Sequence, residues 1–437
     1  MPNKKQYITL SLIFIAIIGI PAIQTLIRIL PEMRLNGKVY DQPLPKLTWN
    51  DWYHFRYQPD LNRYVEQNFG FRTSFIRLYN QIEYSLFRQA HGSGVIAGKK
   101  GYLFESWFIS AHYGKDYIGD DSIKLKIKQL RQVRSYFKRN GKELVVLIAP
   151  GKADYYPEYI PEYMRCTVTA TNYGAMSSAI RKAGIPLLDY NQYFILMKDT
   201  ASCALFPQTG THWSHYGARV ATDSLSGFVA SLIKRPLPEI HLGAAVPADS
   251  VQIPDADLED LMNLFFPLSR LPLCYPEIIS QPSSGFNLPS AIVIGDSFFW
   301  EMFDLPLTGR IFKDLRYWYY NSSVFPESLT DSLKTDQLKF PDVFQHTDLV
   351  IFMVNPSNIQ SIGWGFLDRA VRELYEPEWH KEYDKMVREY IQAIHNTPVW
   401  EKQIIENAKE KGIPADSMML LNATYMVEQY LLDNDLF

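Results

Sequence analysis

Residues 291–299, which read Ala-Ile-Val-Ile-Gly-Asp-Ser-Phe-Phe, decide the fold of this chain. A short apolar run that ends at a glycine is typical of a buried strand in a parallel sheet. The sequence after it predicts a helix from Phe298, which places Ser297 in a strand-to-helix turn. Open α/β folds bind ligands at this edge, where the first amides of a helix can stabilise an anion. Ser297 is therefore a candidate nucleophile, and an ordinary helix cap is the alternative.

Strand and helix patterns alternate around this stretch. Further buried strands are predicted at 144–149, 185–188, 315–320 and 349–354, and a hairpin at 95–104. Such alternation is typical of a mainly parallel sheet with helices on both faces. The predicted fold class is therefore α/β, with a three-layer α/β/α domain.

The domain boundaries follow changes in composition. Positions 8–27 carry no charge and are long enough to cross a bilayer as a helix. Lys4 and Lys5 precede this stretch and favour a cytoplasmic N-terminus, which would put the main domain in the periplasm or the extracellular space. We predict a signal anchor at 1–30, a membrane-proximal connector at 31–66, the α/β domain at 67–362 with an irregular insertion at 236–290, and a helical C-terminal appendage at 363–437.

Composition excludes some classes of function. The 437 residues carry a net charge of −3, so no basic field indicates a nucleic-acid partner. Cys166, Cys203 and Cys274 form no Cys-x-x-Cys pair, which argues against structural zinc and leaves one disulfide possible among them. His212 and His215 have His-x-x-His spacing, but no acidic or cysteine partner has a telling position, so no metal site is predicted.

His212 is the candidate base. It stands between Thr211 and Trp213 in a polar loop before a predicted helix, where a purely structural histidine is the alternative. A Ser–His pair can transfer acyl groups, because the imidazole takes the serine proton and later returns it. Lys152 and Tyr320, at the ends of two predicted strands, are candidate substrate contacts. Candidate supports for an oxyanion or for the loops are Gly295, Asp296, Thr211, Trp213 and Asn355.

Four blocks in this order resemble the alginate O-acetyltransferase family, whose periplasmic enzymes carry an SGNH-hydrolase-like domain. The blocks are Asn68–Phe104, Val145–Pro157, Thr-His-Trp at 211–213 and Gly-Asp-Ser-Phe at 295–298. His212 precedes Ser297, which is similar to the family's circularly permuted order. The resemblance implies Ser297 as nucleophile, His212 as base, no metal or other cofactor, a polysaccharide acceptor, and a membrane-bound O-acyltransferase partner that supplies the acyl group.

One position departs from the family pattern. The family has an aspartate two residues before the histidine, where this chain has Gly210. That aspartate would orient the imidazole and stabilise its charged form. Either another carboxylate replaces it, with Asp257 and Asp189 as possible substitutes, or a Ser–His dyad works more slowly, or catalysis is lost. We expect a membrane-anchored O-acetyltransferase; a carbohydrate esterase, or a scaffold that binds glycan or the membrane partner, remains the alternative.

Overall fold

The structure is a computed structural model that describes residues 4–37, 42–248 and 250–433. The strands in these ranges are β1 (Val95–Ala97), β2 (Leu103–Glu105), β3 (Glu143–Ile148), β4 (Leu187–Asp189), β5 (Ile240–Leu242), β6 (Pro247–Ala248), β7 (Leu273–Cys274), β8 (Ile278–Ser280), β9 (Ser290–Gly295), β10 (Asp314–Tyr319), β11 (Ser323–Phe325) and β12 (Leu349–Val354).

The α-helices follow the same chain order. They are α1 (Lys4–Ile27), α2 (Trp49–Tyr53), α3 (Tyr57–Asn68), α4 (Arg72–Phe87), α5 (Ser106–His112), α6 (Asp120–Arg139), α7 (Lys152–Tyr155), α8 (Asn172–Lys182), α9 (Tyr190–Met197), α10 (His215–Ile233), α11 (Asp257–Met262), α12 (Trp300–Phe303), α13 (Phe340–Gln345), α14 (Phe366–Ala370), α15 (Glu376–His395), α16 (Pro398–Lys411) and α17 (Ala415–Asp433).

A six-stranded sheet forms the centre of the molecule, with strand order β11-β10-β9-β12-β3-β4. All neighbours are parallel except β10 and β11, which form an antiparallel pair at one edge. The strands β3, β9 and β12 are apolar almost throughout, as expected for strands with both faces covered. Because parallel strands end at the same edge, the loops after β3, β9 and β12 meet there.

Successive side chains of the central strands enter two different cores. Val145, Val293 and Ile351 pack on one face with residues of α9, α10 and α12. Val146 and Phe352, one position along their strands, pack on the other face with residues of α6, α8, α13 and α14. This alternation follows from the pleat of a strand and gives the three-layer α/β/α arrangement.

Smaller elements surround the sheet. The strands β1 and β2 form the predicted hairpin, and the chain between β5 and β8 contains two short antiparallel pairs, β5–β8 and β6–β7, together with α11. At the C-terminus, α15, α16 and α17 share a core of their own that includes Val387, Ile404 and Val427. Arg139 of α6 pairs with Glu382 of α15 and so links this helical region to the sheet domain.

The structure confirms the predicted α/β class and corrects two strand limits. The fourth strand is Leu187–Asp189 rather than 185–188, and β10 ends at Tyr319, which leaves Tyr320 in the following turn. Tyr320 has a φ of 47°, a left-handed conformation that cannot continue a strand. The predicted helix after Ser297 is a 3₁₀ turn, Ser297–Phe299, followed by the single-turn α12.

The helix α1 is, among the described residues, the one helix long and apolar enough to cross a membrane. Its carboxyl end contacts the chain before α4. The amide of Gly70 donates to Thr25 Oγ1 at 2.7 Å, and a Cβ at Gly70 would lie 2.5 Å from the Cβ of Gln24. Glycine at position 70 therefore allows the two segments to approach closely.

Truncation of Phe366 tests the packing on the face of the sheet that α6, α8, α13 and α14 cover. Phe366 is fully buried and stacks on Phe340 with ring centroids 5.0 Å apart. Phe366→Ala should lower the free energy of unfolding by about 3–5 kcal/mol, because the cavity cannot collapse in a close-packed layer. The matched control is Phe266→Ala, whose ring is 63% exposed and whose loss should change stability by less than about 0.5 kcal/mol. Urea denaturation of the two variants measures both values, and equal losses would contradict this packing.

Candidate active site

Ser297 lies at the carboxyl edge of the sheet because β9 ends two residues earlier. Gly295 pairs with Tyr319 of β10 and Met353 of β12. A Cβ on Gly295 would lie 3.3 Å from the Cβ of Met353, so glycine lets the strand end pack tightly against its neighbour. The chain then turns sharply, and the Ser297 side chain is presented at the start of the 3₁₀ turn.

Asp296 fixes this turn. It is fully buried, and its carboxylate accepts hydrogen bonds from the Phe298 amide at 3.2 Å and from the Asn355 amide at 2.9 Å. The side-chain nitrogens of Asn355 and Asn358 also donate to it, at 2.6 and 3.2 Å. Burial raises the pKa of Asp296, and these hydrogen bonds oppose the rise. The loops after β9 and β12 are thereby joined, and Asn355 serves as loop support.

Lys152 holds the loop that carries His212 through hydrogen bonds to the loop backbone. This lysine is only 2% exposed, and its Nζ donates to the carbonyl oxygens of Gln208 at 2.9 Å and Gly210 at 2.6 Å. Burial lowers its pKa to about 7, while the charges of Asp257 and Glu105 oppose that shift. The sequence predicts Lys152 as a candidate substrate contact. In the structure its ammonium group instead donates hydrogen bonds to the backbone of the loop.

The insertion between β5 and β8 holds the same loop from the other side. The amides of Leu258 and Glu259, at the start of α11, donate to the Thr209 carbonyl at 3.1 and 3.2 Å. In return, the Thr211 amide donates to Asp257 Oδ1 at 2.7 Å. Trp213 is fully buried behind the loop and packs on Phe298, with ring centroids 5.9 Å apart.

These supports bring His212 to Ser297. The distance from His212 Nε2 to Ser297 Oγ is 2.9 Å, which is hydrogen-bond distance. The imidazole also packs edge-on against Phe298, with centroids 4.7 Å apart. The two residues that the sequence singled out, 85 positions apart, therefore form a preorganised pair.

Glu301 stands on the far side of the imidazole. Its Oε1 is 3.1 Å from His212 Nδ1, and its side chain is 1% exposed. Asp257 Oδ2 is farther, at 3.6 Å from the same nitrogen. Within the described residues, neither Nδ1 nor the two Glu301 oxygens has a partner at hydrogen-bonding angles, so the contact is a close ion pair. Ser297, His212 and Glu301 nevertheless stand in the order of a catalytic triad.

The charges around His212 favour its protonated form. Burial alone lowers the pKa of the imidazole, but the negative charge of Glu301, followed by those of Asp257 and Glu105, raises it to about 9. Glu105, at the end of β2, is itself perturbed: burial raises its pKa to about 7, against the opposing charge of His212. When a histidine takes a proton from serine, it becomes a positively charged imidazolium. Carboxylates next to the buried ring stabilise that charge.

Gly210 occupies a position where an aspartate side chain has no room. A Cβ there would lie 2.7 Å from the Asp255 carbonyl oxygen and 2.7 Å from Pro207 Cγ. The backbone of the insertion thus fills the space that the family's aspartate would need. The same insertion supplies Asp257, one of the two substitutes considered from sequence.

Tyr320 lies close enough to Ser297 for the two residues to interact. Burial raises its pKa to about 12, and the polar groups of Ser297 oppose that rise. Its amide donates to the Gly295 carbonyl at 2.9 Å, which fixes the left-handed turn after β10.

Two other sequence candidates lie apart from the site. Asp189 caps α9 through the Gln192 amide and pairs with Arg181 at 2.5 Å, so it has structural partners elsewhere. His215 pairs with buried Asp255 at 3.1 Å. Among the described residues, no group of three or more His, Cys, Asp or Glu is placed to hold a metal ion.

Sequence reasoning missed Glu301 and Glu105. Glu301 follows Ser297 by four positions, a spacing that puts two side chains on one face of a helix. That spacing was the available signal, although it is too common to decide alone. Glu105 had no such signal, since its approach to His212 depends on how the hairpin folds.

A cavity of about 800 Å³ lies next to the His212 loop and reaches Gln208. Arg88 and Lys100 line it, as does Tyr163, whose side chain is 74% exposed. Gln208 precedes His212 by four residues, so their Cα atoms are at most roughly 14 Å apart.

Comparison with known proteins indicates what this domain resembles. Residues 95–276 match a family model described as SGNH hydrolase-like domain, acetyltransferase AlgX. The matched segment contains His212 and ends before Ser297. Over this segment the chain is therefore similar to an SGNH-hydrolase-like acetyltransferase domain, and the resemblance inferred from the sequence is confirmed.

Named relatives are similar over a limited segment. The probable alginate O-acetylase AlgJ of Pseudomonas aeruginosa is 29% identical over 163 residues, which is 37% of this chain and 39% of the relative. Its counterpart in Pseudomonas syringae pv. tomato is 28% identical over 160 residues, with the same two shares. The match therefore spans about two fifths of the length of these curated relatives.

Solved structures also resemble the chain. The O-acetyltransferase domain of Pseudomonas putida AlgJ is 19% identical with a TM-score of 0.42, and the alignment covers 61% of this chain and 92% of that one. For Pseudomonas aeruginosa AlgX the identity is 14% and the TM-score 0.40, with 63% of this chain and 67% of the other covered.

Substitution at Gly210 tests the packing of the His212 loop. Gly210→Asp should lower the free energy of unfolding by about 1–3 kcal/mol, because the new Cβ overlaps the backbone of Asp255. Gly227→Asp is the matched control: a Cβ there meets nothing within 4 Å, and the change should stay within about 0.5 kcal/mol. Thermal unfolding measures both, and a Gly210→Asp protein as stable as the control would mean that the loop moves to accept an aspartate.

Proposed function

We propose that this chain is a membrane-anchored O-acyltransferase that transfers an acyl group, most simply acetyl, to a polysaccharide hydroxyl outside the cytoplasm. The observation that carries the proposal is the 2.9 Å contact between His212 Nε2 and Ser297 Oγ, with buried Glu301 3.1 Å behind the imidazole. The matched acetyltransferase family and the relatives named as probable alginate O-acetylases support the acetyl group and the polysaccharide acceptor.

In the first half-reaction Ser297 Oγ attacks the carbonyl carbon of the acyl donor. His212 Nε2 takes the serine proton as the new C–O bond forms, and then delivers it to the leaving group of the donor. The Ser297 amide and the Tyr320 hydroxyl are the proposed donors to the negative oxygen of the intermediate, because both belong to the turns next to Ser297 Oγ. The product is an acyl-enzyme ester on Ser297.

In the second half-reaction a polysaccharide hydroxyl replaces the leaving group. His212 removes its proton, the hydroxyl oxygen attacks the ester carbon, and the proton returns to Ser297 Oγ as the acyl–enzyme bond breaks. Net transfer requires that the acceptor reach the ester before water does. The cavity beside Gln208, lined by Arg88, Lys100 and Tyr163, is the proposed path for the acceptor chain.

Glu301 takes the role of the aspartate that Gly210 replaces. Its negative charge, together with that of Asp257, orients the imidazole and stabilises the imidazolium formed in each half-reaction. It acts through His212 and does not touch the acyl group, so we treat it as a positioning residue.

Location and partner complete the proposal. The helix α1 anchors the chain in the cytoplasmic membrane, and the Cys203–Cys274 disulfide fits an oxidising compartment such as the periplasm. Cys166 is exposed and unpaired. A membrane-bound O-acyltransferase, implied by the family resemblance, would supply the acyl group from the cytoplasmic side.

Acceptor-dependent transfer tests the activity. Full-length protein in detergent is incubated with an activated acetyl ester, with and without an acetylatable polysaccharide, and acetate and acetylated glycan are quantified. Transfer should require the acceptor and fall by roughly 10³-fold or more in Ser297→Ala and His212→Ala, since each removes a reacting group.

The other outcomes are equally informative. Serine-dependent release of acetate that does not respond to acceptor would identify an esterase. If wild type and Ser297→Ala release the same acetate and form the same acetylated glycan, and both still bind glycan, the protein is a non-catalytic scaffold. Ser224→Ala, a substitution in α10 away from the site, controls for the loss of a serine as such.

The pH profile tests Glu301. A general base must be neutral, so kcat/KM should rise with pH through the pKa of His212, about 9. Glu301→Gln removes the charge that raises this pKa, so the rising limb should move to lower pH while the plateau falls by roughly 10²–10⁴-fold. Asp257→Asn should move the limb less, because its carboxylate is 3.6 Å from Nδ1.

Glu389→Gln, on α15, is the matched control and should leave both the limb and the plateau unchanged. A Glu301→Gln enzyme whose limb stays at the wild-type pH would show that Glu301 acts on packing alone.

A further inference from the structure

An exposed apolar stripe runs along α4. Five large side chains at spacings of three, one, three and four residues lie between 45% and 71% exposed. They are Phe75, Leu78, Tyr79, Ile82 and Leu86, and together we name them the α4 stripe. Such a contiguous apolar surface is uncommon on a protein that faces only water.

The opposite face of α4 packs on the sheet domain. Asn80 is buried and its Nδ2 donates to the Met262 carbonyl at 2.8 Å, while Arg77 donates to the Leu264 carbonyl at 2.9 Å. Tyr84 is buried in a cluster with Met262 and Leu258. Because these residues face the domain, the α4 stripe faces away from it.

The start of α4 is attached to the carboxyl end of α1. The Phe71 amide donates to Glu32 Oε1 at 2.7 Å, and Thr73 Oγ1 donates to Glu32 Oε2 at 2.9 Å. The Gly70 amide donates to Thr25 within α1 itself. Phe75 follows Phe71 by about one helical turn, roughly 6 Å along the axis, so the stripe begins close to the segment that joins α4 to α1.

A second aromatic group belongs to the same membrane-proximal part of the chain. Trp49 and Trp52 of α2 stack with centroids 5.2 Å apart and are 78% and 47% exposed. Tryptophan and tyrosine are enriched where a bilayer meets water, because one end of each ring system is apolar and the other polar. Arg28, just beyond α1, is exposed and suited to lipid phosphate.

We propose that the α4 stripe and the Trp49–Trp52 pair lie in the interfacial layer of the same bilayer that α1 crosses. The inference rests on the anchor in the proposed function and goes beyond it. The α1 anchor alone would fix only one end of the domain to the membrane. Insertion of α4 into the interfacial layer would also hold the domain against the membrane in one orientation. Two features favour lipid over a soluble partner as the group that covers the α4 stripe. Burial of its apolar area in the membrane interface is favourable, and the chain links α4 covalently to α1.

Depth measurement in vesicles tests the proposal. The full chain with Cys166→Ser is reconstituted into phosphatidylcholine–phosphatidylglycerol vesicles, and single cysteines at Leu78→Cys or Trp49→Cys carry a nitroxide label. Spin relaxation by oxygen, which concentrates in lipid, is compared with relaxation by a water-soluble nickel complex. Both labels should favour oxygen over nickel by several-fold.

Two control labels separate this inference from the anchor. Val399→Cys, at a side chain 79% exposed on α16, should respond as a label in water. Ile17→Cys, in the middle of α1, should respond as a label in the lipid core. Water-like labels at 78 and 49 with a lipid-like label at 17 would overturn the seating and keep the anchor.

Two further results also decide the matter. A water-like label at 17 would overturn the anchor and the seating together. Labels at 78 and 49 shielded from both reagents would show that protein, such as a second copy or a membrane partner, covers the stripe instead of lipid.

Discussion

The geometry of the candidate active site depends on how the loop from Gln208 to His212 is held. Left alone, this polar loop would carry unpaired carbonyl groups and a mobile imidazole. Buried Lys152 donates hydrogen bonds to two of the loop's carbonyl oxygens, and amides in the first turn of α11 donate to a third. Because an unmade hydrogen bond in a buried place costs about 1–3 kcal/mol, the loop has one low-energy position. That position puts the imidazole in contact with Ser297.

The sequence was informative where the interactions are local. The run from Ala291 to Phe299 predicts its strand and turn, because an apolar run, a glycine and a helix start are neighbours in the chain. The pairing of Ser297 with His212 is long-range, and it was predicted through the family resemblance and the order of motifs. The roles of both residues remain predictions until activity is measured.

The remaining features depend on contacts that leave no local pattern. The segment 236–290, which the sequence predicts to be an irregular insertion, supplies the backbone of Asp255 that fills the place beside Gly210 and the carboxylate of Asp257 near His212. Nothing in the spacing of these residues predicts that they meet. The sequence shows that Gly210 stands where the family has a carboxylate, but the approach of Glu301 to His212 becomes visible only in the structure.

The disulfide between Cys203 and Cys274 has a consequence for assembly. The two cysteines are 71 positions apart, and the covalent loop that they close contains both His212 and Asp257. Closing a loop of this length removes chain entropy worth about 4 kcal/mol from the unfolded state. The histidine and this carboxylate neighbour therefore remain at high effective concentration even when the insertion opens, so a locally unfolded site can re-form without a long search.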